Sequence, residues 1–532
     1  METSSKGTHC LSRREVFRTG TFGAAAYFMA STASAVPLLP KRGSGPKIYQ
    51  DLGIRPFINC TSDRTINGGA VCSPGAIEAI REASYYHANL EELMAAVGPR
   101  IAELLQAPGA MVSSGCAGAL TCGTLACMAG GDIETLQQVP NTDGIRDEVV
   151  TPRWSRSIYD HAVRMTGAKM MNVETVEDLA GAFGPQTFMV FAGKEVHYPD
   201  SKISLEKLVE EAHKHGVPVL VDAAAELPLV PDPYLSAGAD LVAYSGGKAL
   251  KGPQSAGLLL GRKDLIDAAF IASSPHHTFA RPMKVAKEEI IGTLVAVQEL
   301  VTTRDIKAEW EQFRSWYRHI RDRITKVPGV MAQIVESSRA SHYPVLRVEW
   351  DITKIGVVAR EIGEDLLNGE PRIMSHAFPK ELDPTMAETN TFDIRPMALY
   401  ADDYKVVSER LYEAFRKAPK APRLEPKYKR PTAELGGLWD IDIEFVAGRS
   451  QHTMYLEMDQ NELTGLHRGR ITQGKISGHV DGDKVVFESR GKYEAADMRY
   501  FFEGTVTGDE LAGKLGLGEY GTARWKARRQ SA

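Results

Sequence analysis

The segment Leu241–Arg262 constrains the fold of this chain most, because it presents a lysine between two apolar runs. Leu241-Val242-Ala243 leads into a glycine-rich turn that ends at Lys248, and a second apolar run follows. A lysine between two buried strands is costly unless its charge is used or neutralised. Upstream, Val217–Val221 is typical of a buried strand in a parallel sheet, and Asp222 follows it directly. Asp222 and Lys248 are 26 residues apart, about one strand–helix–strand step, so we expect both at the carboxyl edge of one sheet.

An aspartate and a lysine at neighbouring strand ends suit the cofactor pyridoxal 5′-phosphate (PLP). The Asp222 carboxylate would keep the pyridinium nitrogen protonated, while the Lys248 amine would form the Schiff base and carry protons at the substrate carbons. Plainer interpretations stay open: Asp222 as a helix N-cap, and Lys248 as a solvated loop lysine or as a phosphate clamp in an enzyme without PLP. Asp222 and Lys248 in this order indicate PLP more specifically than either residue does alone.

The run Met111–Leu120 predicts a strand, a turn of small residues and then a helix. Free backbone N–H groups at a helix N-terminus bind phosphate, and small residues permit close approach. We therefore predict Ser114, Gly115 and Cys116 as a phosphate cradle, with the Ser245 hydroxyl as a further donor. The run is not a GxGxxG motif and has no acidic partner for a ribose, which disfavours a dinucleotide. Close packing of a helix on a sheet is the alternative reason for these small residues.

Four segments resemble fold-type I PLP-dependent enzymes, in the branch of bacterial selenocysteine synthase (seryl-tRNA selenium transferase) and its lyase-like relatives. They are FINCTSDRTINGG, VPVLVDAAAELP, SGGKALKGPQSAGLLLGR and ARPMKVAKEEIIGTL, and the likeness spans residues 46 to 415. The resemblance implies an α/β fold-type I architecture, with a large domain on a mostly parallel sheet and a small α+β domain. It also implies a homodimer or higher homo-oligomer that binds a small amino acid-like substrate.

The same resemblance implies which side chain covers the pyridine ring. In fold-type I enzymes the loop that follows the strand at 148–150 supplies this group. Arg153 or Trp154 is therefore expected there, and His161, which could instead face solvent on a helix, is the alternative.

The resemblance also implies where the substrate binds. Arg281 lies in a segment that crosses near the cofactor, where it would contact phosphate or the substrate carboxylate. Arg395 occupies the place of the arginine that binds the substrate carboxylate in related enzymes, a task that suits a bidentate guanidinium. An ordinary surface arginine and a partly buried ion pair are the respective alternatives. Residues 55 to 70, with Asn59, Thr61, Gly68 and Gly69, are expected near the active site.

Charge and cysteine content restrict the partners. The formal net charge of −5 gives no sign of a general nucleic-acid binder, whereas a selenium transferase must hold a large tRNA through phosphate contacts. All six cysteines precede residue 130. Their spacings neither make a disulfide framework nor pair with histidines as in a zinc site, so we expect no metal.

The N-terminus is typical of a twin-arginine export signal. Arg13-Arg14 precedes a short apolar run, and Ala33-Ser34-Ala35 provides a small-residue cleavage site. The apolar run is too short to span a bilayer comfortably. We predict a signal at 1–35, a linker at 36–47 and a periplasmic or otherwise exported protein without membrane attachment once the signal is removed.

The 532 residues, 43% of them hydrophobic, suffice for two or three domains. We predict a large PLP-binding domain at 48–326, a small α+β domain at 327–416, a linker at 417–434 and a β-rich domain at 435–532. Short alternating runs separated by Asp481-Gly482-Asp483 and Thr507-Gly508-Asp509 make the last domain an antiparallel barrel or sandwich. In the large domain a helix is expected over Pro74–Leu105, interrupted at Gly98-Pro99.

Together these features predict a PLP-dependent lyase or transferase that acts on an amino acid or an amino sugar acid. The family resemblance implies the reaction: loss of a β-leaving group after removal of the α-proton, which gives α,β-elimination, as in an ammonia-lyase, or β-replacement. Aldol cleavage, racemisation and transamination share the first steps and stay open. An alternative of another class is an exported binding protein that keeps the scaffold without catalysis.

Overall fold

A computed structural model describes residues 45–337, 342–375, 389–422 and 427–530 of the chain. The predicted export signal at 1–35, most of the linker after it and part of the linker at 417–434 lie outside these residues. None of the helices in the four ranges combines the length and the apolar character needed to cross a membrane. The predicted domain boundaries stay predictions, and the elements are described one by one below.

The predicted mostly parallel sheet is confirmed as a sheet of seven strands. Apolar residues fill its central strands; for example, all seven residues of Thr187–Gly193 are buried, as expected for a sheet covered on both faces. The strand Ala256–Gly261 runs antiparallel to both of its neighbours. In spatial order the strands are Ala110–Ser114, Ala256–Gly261, Leu241–Ser245, Val219–Asp222, Thr187–Gly193, Glu148–Pro152 and Lys169–Val173.

Helices cover this sheet, and their apolar stripes explain how they pack. Leu205–Lys214 buries Leu205, Leu208, Val209 and Ala212, which share one face at helical spacing. Gly115–Ala129 is buried along most of its length because it consists largely of small residues. The helices of the described ranges are Lys47–Asp51, Pro74–Ala83, Leu90–Leu105, Gly115–Ala129, Ile133–Gln138, His161–Arg164, Val176–Ala180, Leu205–Lys214, Pro233–Ser236, Lys263–Ile271, Lys287–Thr302, Ile306–Ile324, Ala359–Asn368 and Asp403–Lys417.

The predicted interruption of the helix at Gly98-Pro99 is wrong. The helix Pro74–Ala83 ends first, and a new helix, Leu90–Leu105, begins after Asn89 and contains Pro99. The Asn89 side chain accepts hydrogen bonds from the N–H groups of Glu91 and Glu92, at 2.9 and 3.1 Å, which fixes the new start.

Two small sheets complete the α/β part. Val330–Val335, Val345–Trp350 and Thr391–Ile394 form an antiparallel sheet with Val345–Trp350 in the middle. The strand Ile373–Met374 does not join it, because it pairs in parallel with Ile58–Asn59 from the N-terminal segment.

The predicted C-terminal β domain is a closed antiparallel barrel of eight strands. The barrel closes because the first strand, Gly437–Glu444, pairs with the last, Thr522–Arg529, and closure leaves no open sheet edge. Trp439, Phe487, Phe502 and Trp525 fill its interior. The strands are Gly437–Glu444, Arg449–Asp459, Glu462–Arg468, Gln473–Asp481, Lys484–Tyr493, Ala496–Thr507, Glu510–Gly516 and Thr522–Arg529.

Candidate active site

Asp222 and Lys248 follow adjacent parallel strands, as predicted. Asp222 is the last residue of Val219–Asp222 and lies opposite Ala243 of the strand Leu241–Ser245. Lys248 comes three residues after that strand ends. Both side chains therefore start from the same carboxyl edge of the sheet, where ligand crevices of α/β folds lie.

The turn that presents Lys248 needs its two glycines. A Cβ on Gly246 would lie 2.9 Å from the Ala256 carbonyl oxygen, and a Cβ on Gly247 would run into the Gln254 backbone. Hydrogen bonds hold the turn: the Gly246 N–H donates to the Ala256 carbonyl at 2.8 Å, and the Lys251 N–H donates to the Lys248 carbonyl at 2.9 Å. The position of Lys248 is therefore fixed by backbone packing.

The Lys248 amine carries no ion pair to any residue in the described ranges, and its side chain is half-buried. Its Nζ atom lies 5.9 Å from the centre of the Tyr159 ring. Lys251, the other lysine of the turn, is instead engaged with Glu309. Of these two amines, only that of Lys248 is available for chemistry at the sheet edge.

The Asp222 carboxylate accepts two hydrogen bonds at one oxygen. The Ala224 N–H donates to Oδ1 at 3.0 Å, and the Cys116 thiol donates to the same atom at 3.5 Å. Burial raises the pKa of the Cys116 thiol well above its usual value, and the Asp222 charge raises it further, whereas Lys248 lowers it. The thiol therefore stays protonated as a donor, and Cys116 lies within electrostatic reach of both predicted catalytic residues.

The N-terminus of the helix Gly115–Ala129 has the geometry of a phosphate cradle. Gly115 has a φ of +68°, a conformation that favours glycine. A Cβ on Gly257 would lie 2.7 Å from the Cys116 nitrogen and closer still to the Gly115 carbonyl, so only glycine lets strand and helix approach this closely. The Ser114 side chain does not cap the helix, which leaves the first N–H groups open to a ligand.

The chemistry of these donors fits PLP. The helix N-terminus suits a phosphate, Asp222 suits a ring nitrogen and Lys248 supplies the amine. Ser245, predicted as a further phosphate donor, is buried at the end of its strand, and its N–H donates to the Ala224 carbonyl at 3.4 Å. The role of its hydroxyl stays a prediction.

The residues predicted to cover the ring lie apart from one another. Arg153 has a side chain that is 69% exposed, and its Nε lies 3.6 Å from Glu174 beyond the edge strand. Its guanidinium belongs to this exposed surface pair, and the role of Arg153 at the cofactor stays a prediction. Trp154 is half-buried, and its indole nitrogen has no hydrogen-bond partner within the described part of the chain. His161 is exposed at the start of its helix.

Sequence reasoning missed Tyr159, the aromatic side chain found beside Lys248. It belongs to the short 3-10 turn Ile158–Asp160 that follows Trp154. No pattern in the sequence marks it, because its approach to Lys248 depends on how the loop after Pro152 folds back over the sheet edge.

The loop at 55–70 lies against the turn that carries Lys248, as expected. The Ala70 N–H donates to the Gly247 carbonyl at 3.3 Å, and Gly69 lies against the Gln254 side chain. Asn59 organises the loop: its Oδ1 accepts hydrogen bonds from the Thr61 N–H at 2.8 Å and from the Thr61 hydroxyl at 2.7 Å.

Arg395 lies next to this loop. Its N–H donates to the Cys60 carbonyl at 2.9 Å, and its guanidinium lies 3.5 Å from Asp393. Tyr343 lies close by: burial raises its pKa to about 12, while Ser62 and Arg395 act in the opposite direction. Arg395 is therefore partly committed to Asp393, with a side chain that is 32% exposed.

Arg281 is held by a neighbouring turn. Its Nη1 donates to the Ser274 hydroxyl at 3.2 Å. Met283, two residues further on, lies beside Gly118 in the first turn of the helix Gly115–Ala129. The segment thus passes close to the phosphate cradle, and the ligand of Arg281 stays a prediction.

Comparison with known proteins identifies one matching family model and several similar enzymes. The family model described as aminotransferase class-V matches residues 200–279, which include Asp222 and Lys248. The 5'-C-glycyluridine monooxygenase-decarboxylase of a Streptomyces species is 30% identical over 387 residues, which cover 70% of this chain and 93% of that protein. An L-seryl-tRNA(Sec) selenium transferase of Geotalea daltonii is 31% identical over 160 residues, 26% of this chain and 33% of that protein.

Proteins with the name D-glucosaminate-6-phosphate ammonia lyase match this chain in sequence and in structure. The D-glucosaminate-6-phosphate ammonia lyase of Salmonella typhimurium is 25% identical over 384 residues, 69% of this chain and 98% of that protein. A solved structure of D-glucosaminate-6-phosphate ammonia-lyase superposes with a TM-score of 0.60 at 24% identity, covering 70% of this chain and 99% of that one. This superposition confirms the predicted fold.

Proposed function

Because this chain belongs to the fold-type I, PLP-dependent aminotransferase class-V family, we propose that it is a lyase that acts on an amino acid or an amino sugar acid by α,β-elimination, with β-replacement as its nearest variant. The chain is an enzyme and its cofactor is PLP. The observation that carries the proposal is the common sheet edge of Asp222 and Lys248, where the Lys248 amine has no carboxylate partner among the described residues. The ammonia lyase relative supports elimination as the outcome.

When bound, PLP supplies an electron-withdrawing ring that stabilises negative charge at the substrate α-carbon. The chain would hold its phosphate at the N–H groups after Ser114 and its ring nitrogen at Asp222. The Cys116 thiol, which donates to Asp222 at 3.5 Å, fixes the orientation of that carboxylate.

Lys248 would move the proton at the α-carbon. The tightly packed glycine turn fixes the backbone from which its side chain starts. The Tyr159 ring lies on one side of the amine, with its centre 5.9 Å from Nζ. A leaving group on the β-carbon would then depart as the pair of electrons from the α-carbon forms the double bond.

Arg395 and Arg281 would bind anionic groups of the substrate. Arg395 would reach the site from the end of the small antiparallel sheet, where Asp393 and the Cys60 backbone hold it. A planar guanidinium fixed in this way suits a carboxylate.

A product assay tests the proposed reaction. Purified holoenzyme should release ammonia and a keto acid from a panel of D- and L-amino acids and amino sugar acids, and Lys248→Ala should abolish this release while the thermal unfolding midpoint stays the same. Lys263→Ala, an exposed lysine paired with Asp267 at 2.7 Å, is the matched control. Release of an aldehyde, of the enantiomer or of a transaminated product would instead identify an aldolase, a racemase or an aminotransferase. No product at all together with a colourless protein would favour a binding protein.

A second candidate is oxygen-dependent decarboxylation, which the 30% identity to the monooxygenase-decarboxylase favours. An oxygen electrode separates the two candidates. Substrate-dependent oxygen consumption with release of carbon dioxide would support decarboxylation, whereas anaerobic turnover at an unchanged rate would support elimination.

We also propose that the enzyme is exported through the twin-arginine route and forms a homodimer or higher homo-oligomer. Arg13-Arg14 and the small-residue cleavage site support export. Cell fractionation of wild type and of an Arg13→Lys, Arg14→Lys variant tests it: only the wild type should reach the periplasm.

A further inference from the structure

The barrel meets the loop that carries Tyr159. Residues 153–160 leave the strand Glu148–Pro152 and contain the turn Ile158–Asp160. Ile158 lines a cleft of about 870 Å³ together with barrel residues that include Phe445, Tyr500 and Tyr520. The resemblance to known enzymes spans residues 46 to 415, so the barrel lies beyond it.

A chain of ion pairs joins the barrel to this loop. Glu494 of the barrel lies 2.6 Å from Arg156, and Arg156 lies 2.6 Å from Asp160. The Arg156 side chain is 5% exposed and that of Asp160 is 1% exposed. A second cation, Arg164, also binds Asp160, at 3.1 Å.

The charges balance only when the barrel is docked. Within the α/β part, Arg156 and Arg164 share the single carboxylate of Asp160, and Arg156 also donates to the neutral Asn172 at 3.0 Å. Glu494 brings the second carboxylate. A buried cation without a matching anion is unfavourable, so the loop conformation depends on Glu494.

The turn that presents Glu494 is shaped for this contact. Tyr493 pairs with Ala496, so Glu494 and Ala495 form a two-residue hairpin loop. Glu494 has a φ of +54°, a value that favours glycine at this place in a hairpin. A glutamate kept in a disfavoured conformation points to a role for its side chain.

From these contacts we infer that Glu494 is a positioning residue: by binding Arg156, the barrel fixes the loop that places Tyr159 against the Lys248 amine. The barrel is then part of the catalytic unit and not an independent binding module. Only the kinetic consequence of this inference rests on the proposed function.

Hydrogen exchange measured by mass spectrometry tests the inference without any substrate. In Glu494→Gln, amides of residues 153–164 should lose about tenfold in protection, as expected when a charge-assisted contact is lost, while the barrel strands keep theirs. Trypsin should also cleave faster after Arg156. Glu494→Gly relieves the backbone of the hairpin and should show the same loss in the loop. Glu510→Gln, which removes a barrel carboxylate paired with Arg528 at 2.8 Å, is the control with the same charge change.

The kinetic readout follows the same variants in the holoenzyme. Glu494→Gln should lower kcat about tenfold at unchanged PLP content, and Glu494→Asp should restore part of it. Unchanged exchange in residues 153–164 of Glu494→Gln would overturn the inference, as would equal effects of Glu494→Gln and Glu510→Gln. If the wild-type enzyme shows no turnover, the proposed function fails, but the exchange result still decides whether Glu494 positions the loop.

Discussion

Gly257→Ala tests the phosphate cradle most sharply, because the added methyl group would clash with the backbone of the cradle. Its carbon would lie 2.7 Å from the Cys116 nitrogen and nearer still to the Gly115 carbonyl, both of them backbone atoms. Relieving the contact with that nitrogen alone requires a shift of about 0.7 Å, and the nearer Gly115 carbonyl requires the helix N-terminus to move further still. Overpacking of this kind costs about 1–3 kcal/mol of stability.

The shift should affect cofactor binding as well as stability, since the first N–H groups of the helix would no longer converge on one phosphate. We expect the Kd for PLP to rise at least about tenfold, which corresponds to about 1.4 kcal/mol. Absorbance titration of the apoenzyme with PLP measures this Kd, and urea unfolding measures the stability. Gly184→Ala is the control, because its methyl group would meet only the Glu148 side chain, at 3.7 Å. Wild-type PLP affinity in Gly257→Ala would refute the cradle.

Three further predictions concern the ring nitrogen, the substrate and the barrel. Asp222→Asn should lower kcat by about 10² or more while PLP stays bound, because the amide cannot hold the ring nitrogen protonated; steady-state kinetics with near-wild-type kcat would contradict this. Arg395→Lys should raise KM about tenfold with little change in kcat, as lysine cannot bind a carboxylate with two parallel hydrogen bonds; a lower unfolding midpoint with unchanged KM would instead assign Arg395 to its ion pair with Asp393. Burial, followed by the charge of His452, lowers the pKa of His467 to about 3, so between that value and 6.5 the unfolded chain binds a proton that the folded barrel does not. The free energy of unfolding should therefore have its full value above pH 6.5 and be about 2 kcal/mol lower at pH 5. Urea unfolding at pH 7 and pH 5 should show a smaller loss of stability in His467→Gln than in the wild type. Equal losses in the two proteins would contradict the assignment.

Strand ends were predictable from the sequence because local patterns fix them. The buried run before Asp222 and the glycine turn before Lys248 are each a few residues long, and parallel pairing of adjacent strands brings them together. The small-residue turn at Ser114–Cys116 was predictable for the same reason, since a strand followed by a helix needs little tertiary information.

Features set by contacts distant in sequence were missed or left open. The alternating pattern of the C-terminal domain fits a barrel and a sandwich equally, and only pairing of Gly437–Glu444 with Thr522–Arg529 decides for the barrel. The strand Val330–Val335 was missed, because only its first residue is fully buried and its alternation is weak. Tyr159 was missed because the loop folds back under the control of contacts distant from any sequence motif, such as Arg156 with Asp160.

The central claim is that the Lys248 amine holds PLP at the edge shared with Asp222. Reduction of the yellow holoenzyme with borohydride, followed by peptide mapping with mass spectrometry, tests it directly. A pyridoxyl group on the peptide that contains Lys248, with loss of the visible absorbance, is the predicted result. Labelling of Lys251 instead of Lys248 would contradict it, as would a protein that stays colourless when PLP is added and carries no label.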